Sequence, residues 1–369
     1  VDLMLSFNTL YGQPAALMRR RIWSGEERKL PAASVRVENM FKAHQGFLPN
    51  FSLGVPTRAV WNGRVYAVAT ATTLYTTPDL RTITSRFVTT GTIQGLAQHN
   101  GTIVVSYVDG PQYGLRASTN DVSFTAPAGA QAVAAISRAG GFFFGQQTST
   151  GLSYCYRSVA GTDTWLNTPM PSGDPWHKFL FNGSAYLALS GAGPSWINAA
   201  VSDSGASFIS STGFNALRNT VSAASAALNQ GIAVGTKFVL FGAVGKRMWT
   251  ATSEDGHNFD LKVQLLPLLD GEDVQSITSA IVLDGVIYAR AVTLDNANAS
   301  RLRLVASYDA GANWRLFPPA FVPRTGVVDV TTPIFALEPG KGLFLGTQGM
   351  GLLSDVDNDR EFYYEQGAA

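Results

Sequence analysis

Residues able to do chemistry are few in this 369-residue chain, and they are spread along it. From residue 57 onward the glutamates are few: Glu254, Glu272, Glu338, Glu361 and Glu365, and no triad of acid, base and nucleophile can be read from them. Two-carboxylate hydrolysis therefore has no signature here; it stays open only because spacing does not report convergence in space. The four histidines, His44, His99, His177 and His257, share no metal-ligand spacing and read as turn or surface residues. Cys155 is the one cysteine, so no internal disulfide forms. It sits in the alternating run Leu152-Ser153-Tyr154-Cys155-Tyr156, which reads as a small core residue rather than a nucleophile. Asp355, Asp357 and Asp359 place hard oxygens at alternate positions, as a calcium loop does, but Arg360 stands where such a loop needs glycine. A polar hairpin is the expectation there, and no cofactor is expected.

The elements that must position these residues are strands and tight turns. One stretch, Ser307-Tyr308-Asp309-Ala310-Gly311-Ala312-Asn313-Trp314, shows the device most clearly. The alternating run Leu302–Ala306 leads in as a strand. Ser307 and Asp309 can turn their oxygens onto backbone N–H groups of the loop, Gly311 supplies a position where positive φ costs nothing, and Trp314 opens the return strand with its ring under the turn. Weaker copies are Ser253-Glu254-Asp255-Gly256-His257-Asn258-Phe259 and Ser202-Asp203-Ser204-Gly205-Ala206-Ser207-Phe208, each one residue shorter. Ser118-Thr119-Asn120-Asp121-Val122-Ser123-Phe124 lacks the glycine, Ser158–Trp165 is more distant, and Thr76–Leu80 and Ser354–Asp359 occupy the same slot near the two ends.

The pattern S-x-D-x-G-x-x-W resembles the Asp-box of sialidases and related β-propellers. In those families the motif lies on the outer rim, so the resemblance implies architecture rather than catalysis. Sialidases also need three arginines converging on a carboxylate, a Tyr–Glu nucleophile pair and an acidic proton donor. Arg58, Arg116, Arg157, Arg218, Arg290 and Arg303 are scattered and none sits in the arginine signature that opens such domains. Glu254 lies inside one of the turn copies and is expected on the rim. No set of acid, base and nucleophile assembles from the sequence.

A second signal is periodic. Turn glycines at positions 63, 101, 140, 183, 235, 285 and 340 separate apolar runs, several as Asn-Gly or Asp-Gly, and are spaced by 38, 39, 43, 52, 50 and 55 residues. Each is followed by one of the polar slots above. Seven units of about 45 residues, each with two hairpin turns, predict an all-β propeller of seven four-stranded blades over residues 57–369. Six or eight blades are alternatives, and two stacked sandwiches are the runner-up fold. Residues 211–230 are rich in Ala, Ser and Asn and read as a loop with room for a short helix; residues 262–276 and 317–332 read as long loops.

Composition narrows the partners. Hydrophobic residues make up 46% and charged residues 14%, enough to bury a core and too few charges for disorder. The net charge of +1 argues against nucleic acid as the main ligand, no run approaches a membrane span, and no signal peptide is visible at the start. Residues 1–56 do not fit the repeat. Residues 1–45 hold Lys+Arg 7 and Asp+Glu 4, a local +3, with Arg19, Arg20, Arg21 and Trp23 as candidate anchors. The segment reads as a docking arm for other subunits or as a strand that closes the ring.

The style of degenerate repeats with a separate arm is similar to propellers in virion and tail proteins of tailed bacteriophages. That resemblance implies a non-enzymatic structural protein of the virion tail, partnered by other tail subunits and possessing a scaffold suited to host attachment. A glycan-binding lectin, with Trp176, Trp196 and Tyr113 stacking on sugar rings, is the alternative; a sialidase-like glycosidase is the less favoured one.

Overall fold

The computed structural model describes residues 57–78, 82–127, 133–149, 152–191, 196–266, 272–283, 285–294, 300–316, 334–336, 341–346, 349–356 and 359–366. The arm with Arg19, Arg20, Arg21 and Trp23, the turn glycine at position 340 and the 317–332 segment lie outside them.

The strands group into seven antiparallel sheets in chain order, each a simple up-and-down meander. Sheet 1 is β1 (Arg58–Trp61), β2 (Tyr66–Ala69), β3 (Thr73–Thr77) and β4 (Thr84–Val88). Sheet 2 is β5 (Thr92–His99), β6 (Thr102–Asp109) and β7 (Gln112–Ser118). Sheet 3 is β8 (Ala135–Ala139), β9 (Phe142–Ser149), β10 (Leu152–Ser158) and β11 (Leu166–Thr168). Sheet 4 is β12 (Trp176–Phe181), β13 (Tyr186–Ser190), β14 (Asn198–Ser202) and β15 (Ile209–Ser210). Sheet 5 is β16 (Gln230–Val234), β17 (Lys237–Val244), β18 (Arg247–Ser253) and β19 (Asp260–Leu265). Sheet 6 is β20 (Asp273–Leu283), β21 (Val286–Leu294), β22 (Ser300–Ser307) and β23 (Arg315–Leu316). Sheet 7 is β24 (Ile334–Ala336), β25 (Lys341–Gly346), β26 (Gly349–Val356) and β27 (Asp359–Gln366).

Sheet 2 departs from the four-stranded expectation. Its fourth member shrinks to a single bridge, Ala117 with Thr125, closed by two backbone bonds of 2.8 and 3.0 Å. Pro127, two residues on, has no N–H to extend a ladder.

The first strand of each sheet lies against the first strand of the next: β1 on β5, β5 on β8, β8 on β12, β12 on β16, β16 on β20 and β20 on β24, with β24 back on β1. This cycle makes the first strands the inner circle. Burial follows from it. Second strands have neighbouring sheets on both faces, and Tyr66–Ala69, Tyr186–Ser190 and Val286–Leu294 are buried along nearly their whole length. Outermost strands are solvated, with β4, β15 and β19 largely exposed.

The core is accordingly a series of layers between sheets rather than one centre. One layer joins sheets 1 and 2 through Ala67, Leu74, Ile103 and Val105. Another joins sheets 3 and 4 through Phe144, Phe179 and Phe208, the first two stacked at 4.4 Å. The layer between sheets 4 and 5 also takes in Phe214, Leu217 and Val221 of α1 (Phe214–Ala223), the one helix of the described residues, within the segment expected to have room for one. Residues 262–276 are not the long loop expected: β19 runs to Leu265 and β20 starts at Asp273. The polar letters in Asp260–Leu265 belong to an edge strand open to water, which hides them from an apolar-run criterion.

Candidate functional site

Two features stand out: the polar turns at the rim and one level of the innermost strands that carries Arg58, Lys178, Gln230 and Ser279. The rim turns take the conformation their residues dictate. The Ser307 hydroxyl donates to Asp309 (2.9 Å) and accepts from the Gly311 N–H (2.8 Å), while Asp309 accepts from the Asn313 backbone (2.7 Å) and side chain (2.6 Å). Ser253 and Asp255 repeat the arrangement with Gly256, His257 and Asn258, and Ser202 accepts from Gly205. In the more distant copy Ser158 accepts from Gly161 and bonds Asp163.

The turns do more than close hairpins. Trp314 is buried, but its ring lies against the preceding sheet, not under its own turn: its Nε1 donates to Thr250 of β18 (2.9 Å) and its ring sits 4.8 Å from Phe241 of β17. A hairpin tip on a sheet edge has little apolar surface of its own, whereas the neighbouring sheet offers a full face. Gly311 (φ +88°) is pressed against the same sheet, where a Cβ would come 2.7 Å from Val239. Gly256 meets Val201 and Leu187 of sheet 4 in the same way, Gly205 meets Phe142 of sheet 3, and Gly161 meets Val104 of sheet 2. Phe208 is buried in the layer between sheets 3 and 4, and Phe259 is half-buried on the layer between sheets 4 and 5.

The dispersed arginines and glutamates do not form one constellation. Arg116 lies on β7 and Arg290 is buried on β21; Arg157 donates to the Ala206 carbonyl (2.7 Å) and Arg218 of α1 to the Ile197 carbonyl (2.6 Å). Arg303 and Glu272 do meet, as a buried ion pair with Nε–Oε2 at 3.0 Å. Glu254 is exposed, as expected, and Glu338 lies outside the described residues. Glu361 and Glu365 lie on β27. Asp355 ends β26 beside Val356 and Asp359 opens β27, the two sides of a hairpin, with Asp357 outside the described residues. Cys155 is buried and its thiol is pushed up to about 12 by that burial, which keeps it protonated. Trp176, one of the three aromatics of the lectin alternative, is buried with its Nε1 near the Ser172 carbonyl (3.4 Å), a core residue with no face for a sugar. Its ring packs in the layer between sheets 3 and 4. Trp196 and Tyr113 are half-buried. His99 packs its edge on Phe143, and His177 is exposed on β12.

The second feature was not anticipated. Thr77, Ser118, Ser158, Ser202, Ser253 and Ser307 pair with Tyr66, Ile103, Phe143, Tyr186, Phe238 and Ile287, which puts six sheets in a common register. Three residues further along each second strand, the partners on the innermost strands are Arg58, Gly95, Ala135, Lys178, Gln230 and Ser279. Gly95, Lys178 and Ser279 each directly follow a register shift in their strand. Such bulges re-aim backbone groups. Arg58 uses one, donating across to the Ile93 carbonyl of β5 (3.3 Å), and Gln230 uses another, donating to Ile277 of β20 (3.0 Å). Lys178 has the regular strand β16 on its forward side and no carbonyl presented in that way.

Burial lowers the Arg58 guanidinium from its ordinary value and pushes the Lys178 amine down to about 8. Lys178 is only half-buried as a residue, so its side chain keeps contact with solvent. The innermost strands carry Arg58, Arg138 and Lys178 as cations; Asp273 is the one carboxylate on them among the described residues. A sequence signal existed: Arg58 and Lys178 each stand four residues before the asparagine of an Asn-Gly turn, Asn62 and Asn182.

No family model matches this chain, and no curated protein matches it. Among solved structures it is similar to YCF48 bound to a D1 peptide, a β-propeller, with a TM-score of 0.51, 12% identity, and coverage of 84% of this chain and 94% of that one. It is also similar to prolyl endopeptidases, with a TM-score of 0.54, 11% identity and 91% of this chain covered, but it spans only 55% of that chain. At these identities the likeness shows the fold alone: an all-β propeller.

Proposed function

We propose that this propeller works by binding rather than by turnover, as a scaffold for assembly, with the 1–56 segment as its docking arm. The observation that carries this reading is how the carboxylates are used. Asp163, Asp255 and Asp309 hold turns, Asp121 ties sheet 1 to sheet 2, and Glu272 neutralises Arg303. Carboxylates committed to folding bonds are not available as acid and base in a common cleft. The seven sheets serve as seven blades in this reading, with the cycle of first strands as the wall of a central channel.

The finer reading, a component of a bacteriophage virion tail, rests on the sequence style alone. Its test is deletion of residues 1–45 followed by co-sedimentation with particles from the native source. A folded propeller that no longer travels with particles supports the docking arm. A truncated chain that still incorporates, or a full chain that stays free of particles, rejects it. Saturable binding to a glycan panel would instead favour the lectin alternative, for which Trp196 and Tyr113 remain the residues to replace.

A further inference from the structure

Asn-Gly pairs close three of the hairpins between first and second strands: Asn62-Gly63, Asn100-Gly101 and Asn182-Gly183. Glycine leaves its backbone nitrogen uncrowded, so that nitrogen can attack the preceding asparagine side chain wherever the amide is free and water is near. The structure sorts the three. The turns at 62–65 and 182–185 are long, with Trp61 pairing Tyr66 and Phe181 pairing Tyr186. That length lets the asparagine tuck inward. Asn62 and Asn182 are both buried, each Oδ1 accepts from backbone N–H groups of its own turn, and each Nδ2 donates to the next sheet. At Asn100 the turn has only two residues, with His99 pairing Thr102, and both take the left-handed conformation, at φ +47° and +79°. Asn100 is left at the exposed tip, and no hydrogen bond holds its side chain among the described residues.

We propose that Asn100 is a site of spontaneous deamidation, and that its isoaspartate product loosens the junction of sheets 1 and 2. Local opening of the hairpin tip brings the Gly101 nitrogen onto Cγ of Asn100. The N–Cγ bond forms, the Cγ–Nδ2 bond breaks, and Nδ2 leaves as ammonia with the proton that the Gly101 nitrogen gives up. Water then opens the resulting succinimide ring. Opening at Cγ gives aspartate; opening at the main-chain carbonyl gives isoaspartate, whose backbone runs through Cβ and Cγ and is longer by one atom. The consequence follows from what Gly101 carries. Its carbonyl accepts from Asn62 Nδ2 (3.1 Å) and from the Arg64 guanidinium (3.2 Å), which also binds the Thr119 carbonyl (2.8 Å). A longer backbone immediately before Gly101 moves that acceptor away from both donors of sheet 1. Aspartate leaves the backbone length unchanged. At the junction of sheets 4 and 5 the acceptor in the same turn position is the Thr236 carbonyl, preceded by Gly235, which has no side chain to cyclise. That junction cannot age in this way. The proposal goes beyond the scaffold reading and holds whether or not the arm docks.

The test ages the full chain in mildly alkaline buffer, where the Gly101 amide loses its proton more readily. Samples are quenched in acid, digested and mapped by mass spectrometry, with isoaspartate told from aspartate by electron-transfer fragmentation. Asn100 should convert more than about tenfold faster than Asn62 and Asn182, which must first break their bonds to the neighbouring sheet. In urea the three rates should converge, because it is burial and not sequence that protects the other two. The melting temperature of the aged chain should fall in step with its isoaspartate content. Asn100→Gly keeps a residue suited to positive φ and has no amide to lose, so its melting temperature should hold through the same ageing. Asn100→Asp, measured fresh, should melt close to the fresh parent; a large drop there would assign the effect to charge and reject the isoaspartate. Equal rates at the three asparagines in the folded chain, or an aged parent that melts with the fresh one after Asn100 has converted, would overturn the proposal.

Discussion

The junction between sheets 1 and 2 and the junction between sheets 4 and 5 solve one problem with different chemistry. Both start from an Asn-Gly turn on the innermost hairpin. Asn182 caps its own turn by accepting from Ser184 and Ala185, and its amide donates forward to the carbonyls of Thr236 (2.8 Å) and Glu254 (2.7 Å). Asn62 caps its turn in the same way and donates to the Gly101 carbonyl (3.1 Å), but its second acceptor is the Asp121 carboxylate (2.5 Å). Asp121 fills the place that Gly256 fills in sheet 5, and it does so at φ +65°, a conformation costly for a residue with a Cβ. Its carboxylate also binds the Arg64 guanidinium at 2.8 Å. Where glycine is missing, the turn loses close packing against the preceding sheet, and a charged side chain reaches across instead. Both junctions carry an apolar layer, but at the turn one is closed by backbone and apolar contact and the other by a charge-assisted bond.

The sharpest way to break the apolar kind is Trp314→Ala at the junction of sheets 5 and 6. It removes a buried indole and strands the Thr250 hydroxyl, so a loss of about 3–5 kcal/mol is expected from chemical denaturation followed by circular dichroism. A loss below about 1 kcal/mol would show that the ring does not lock the two sheets. Gly256→Ala should cost about 2–4 kcal/mol, since the methyl would lie 2.8 Å from Val201 at a φ of +74°. Its counterpart, Asp121→Gly, gains backbone ease but loses the bonds to Asn62 and Arg64, for a net loss of about 1–2 kcal/mol. If Asp121→Gly proved stabilising, the carboxylate would be dispensable and the comparison would fail.

Asp121→Asn is gentler. Asparagine tolerates the left-handed conformation and keeps an acceptor, so the loss should stay under about 1 kcal/mol and vanish in high salt, because Arg64 is half exposed. The smallest effect concerns acid. Asp255 is held well below the usual carboxylate range, first by the Asn258 N–H and then by His257, Asn258 and Ser253. Burial works against Asp309, but Asn313 and Ser307 outweigh it and its pKa is also lowered. Depressed folded-state values mean stability that is full above the ordinary carboxylate pKa and lost as pH falls toward the folded value. Asp255→Asn should flatten the acid limb of the melting curve by removing a small contribution at neutral pH, where the carboxylate supplies it, while leaving stability in acid little changed; an unaltered acid limb would count against those bonds.

Much of the architecture was legible because hairpin chemistry is local. Gly63, Gly101, Gly140, Gly183, Gly235 and Gly285 all adopt positive φ, at the places where the sequence separates apolar runs. Cys155 and Tyr154 alternate inward and outward as their strand pattern requires. What misled was anything set by a neighbour. Trp314 was expected beneath its own turn and lies on another sheet; Trp176, named only for the lectin alternative, is buried; residues 262–276 were expected as loop and include an edge strand. Lys178 passed unnoticed because a lone lysine in an apolar run is unremarkable until its register and surroundings are known.

By itself the sequence determined the strand class, the hairpin repeat and the turns that carry it, since φ preferences, side chain-to-backbone bonds and alternation act over a few residues. The tertiary structure decided which sheet each turn locks onto, that Arg303 meets Glu272 across a gap of 31 residues, and that Arg58, Lys178, Gln230 and Ser279 share one level of the inner circle. Those relations depend on register and on the stacking of whole sheets, which no local spacing encodes.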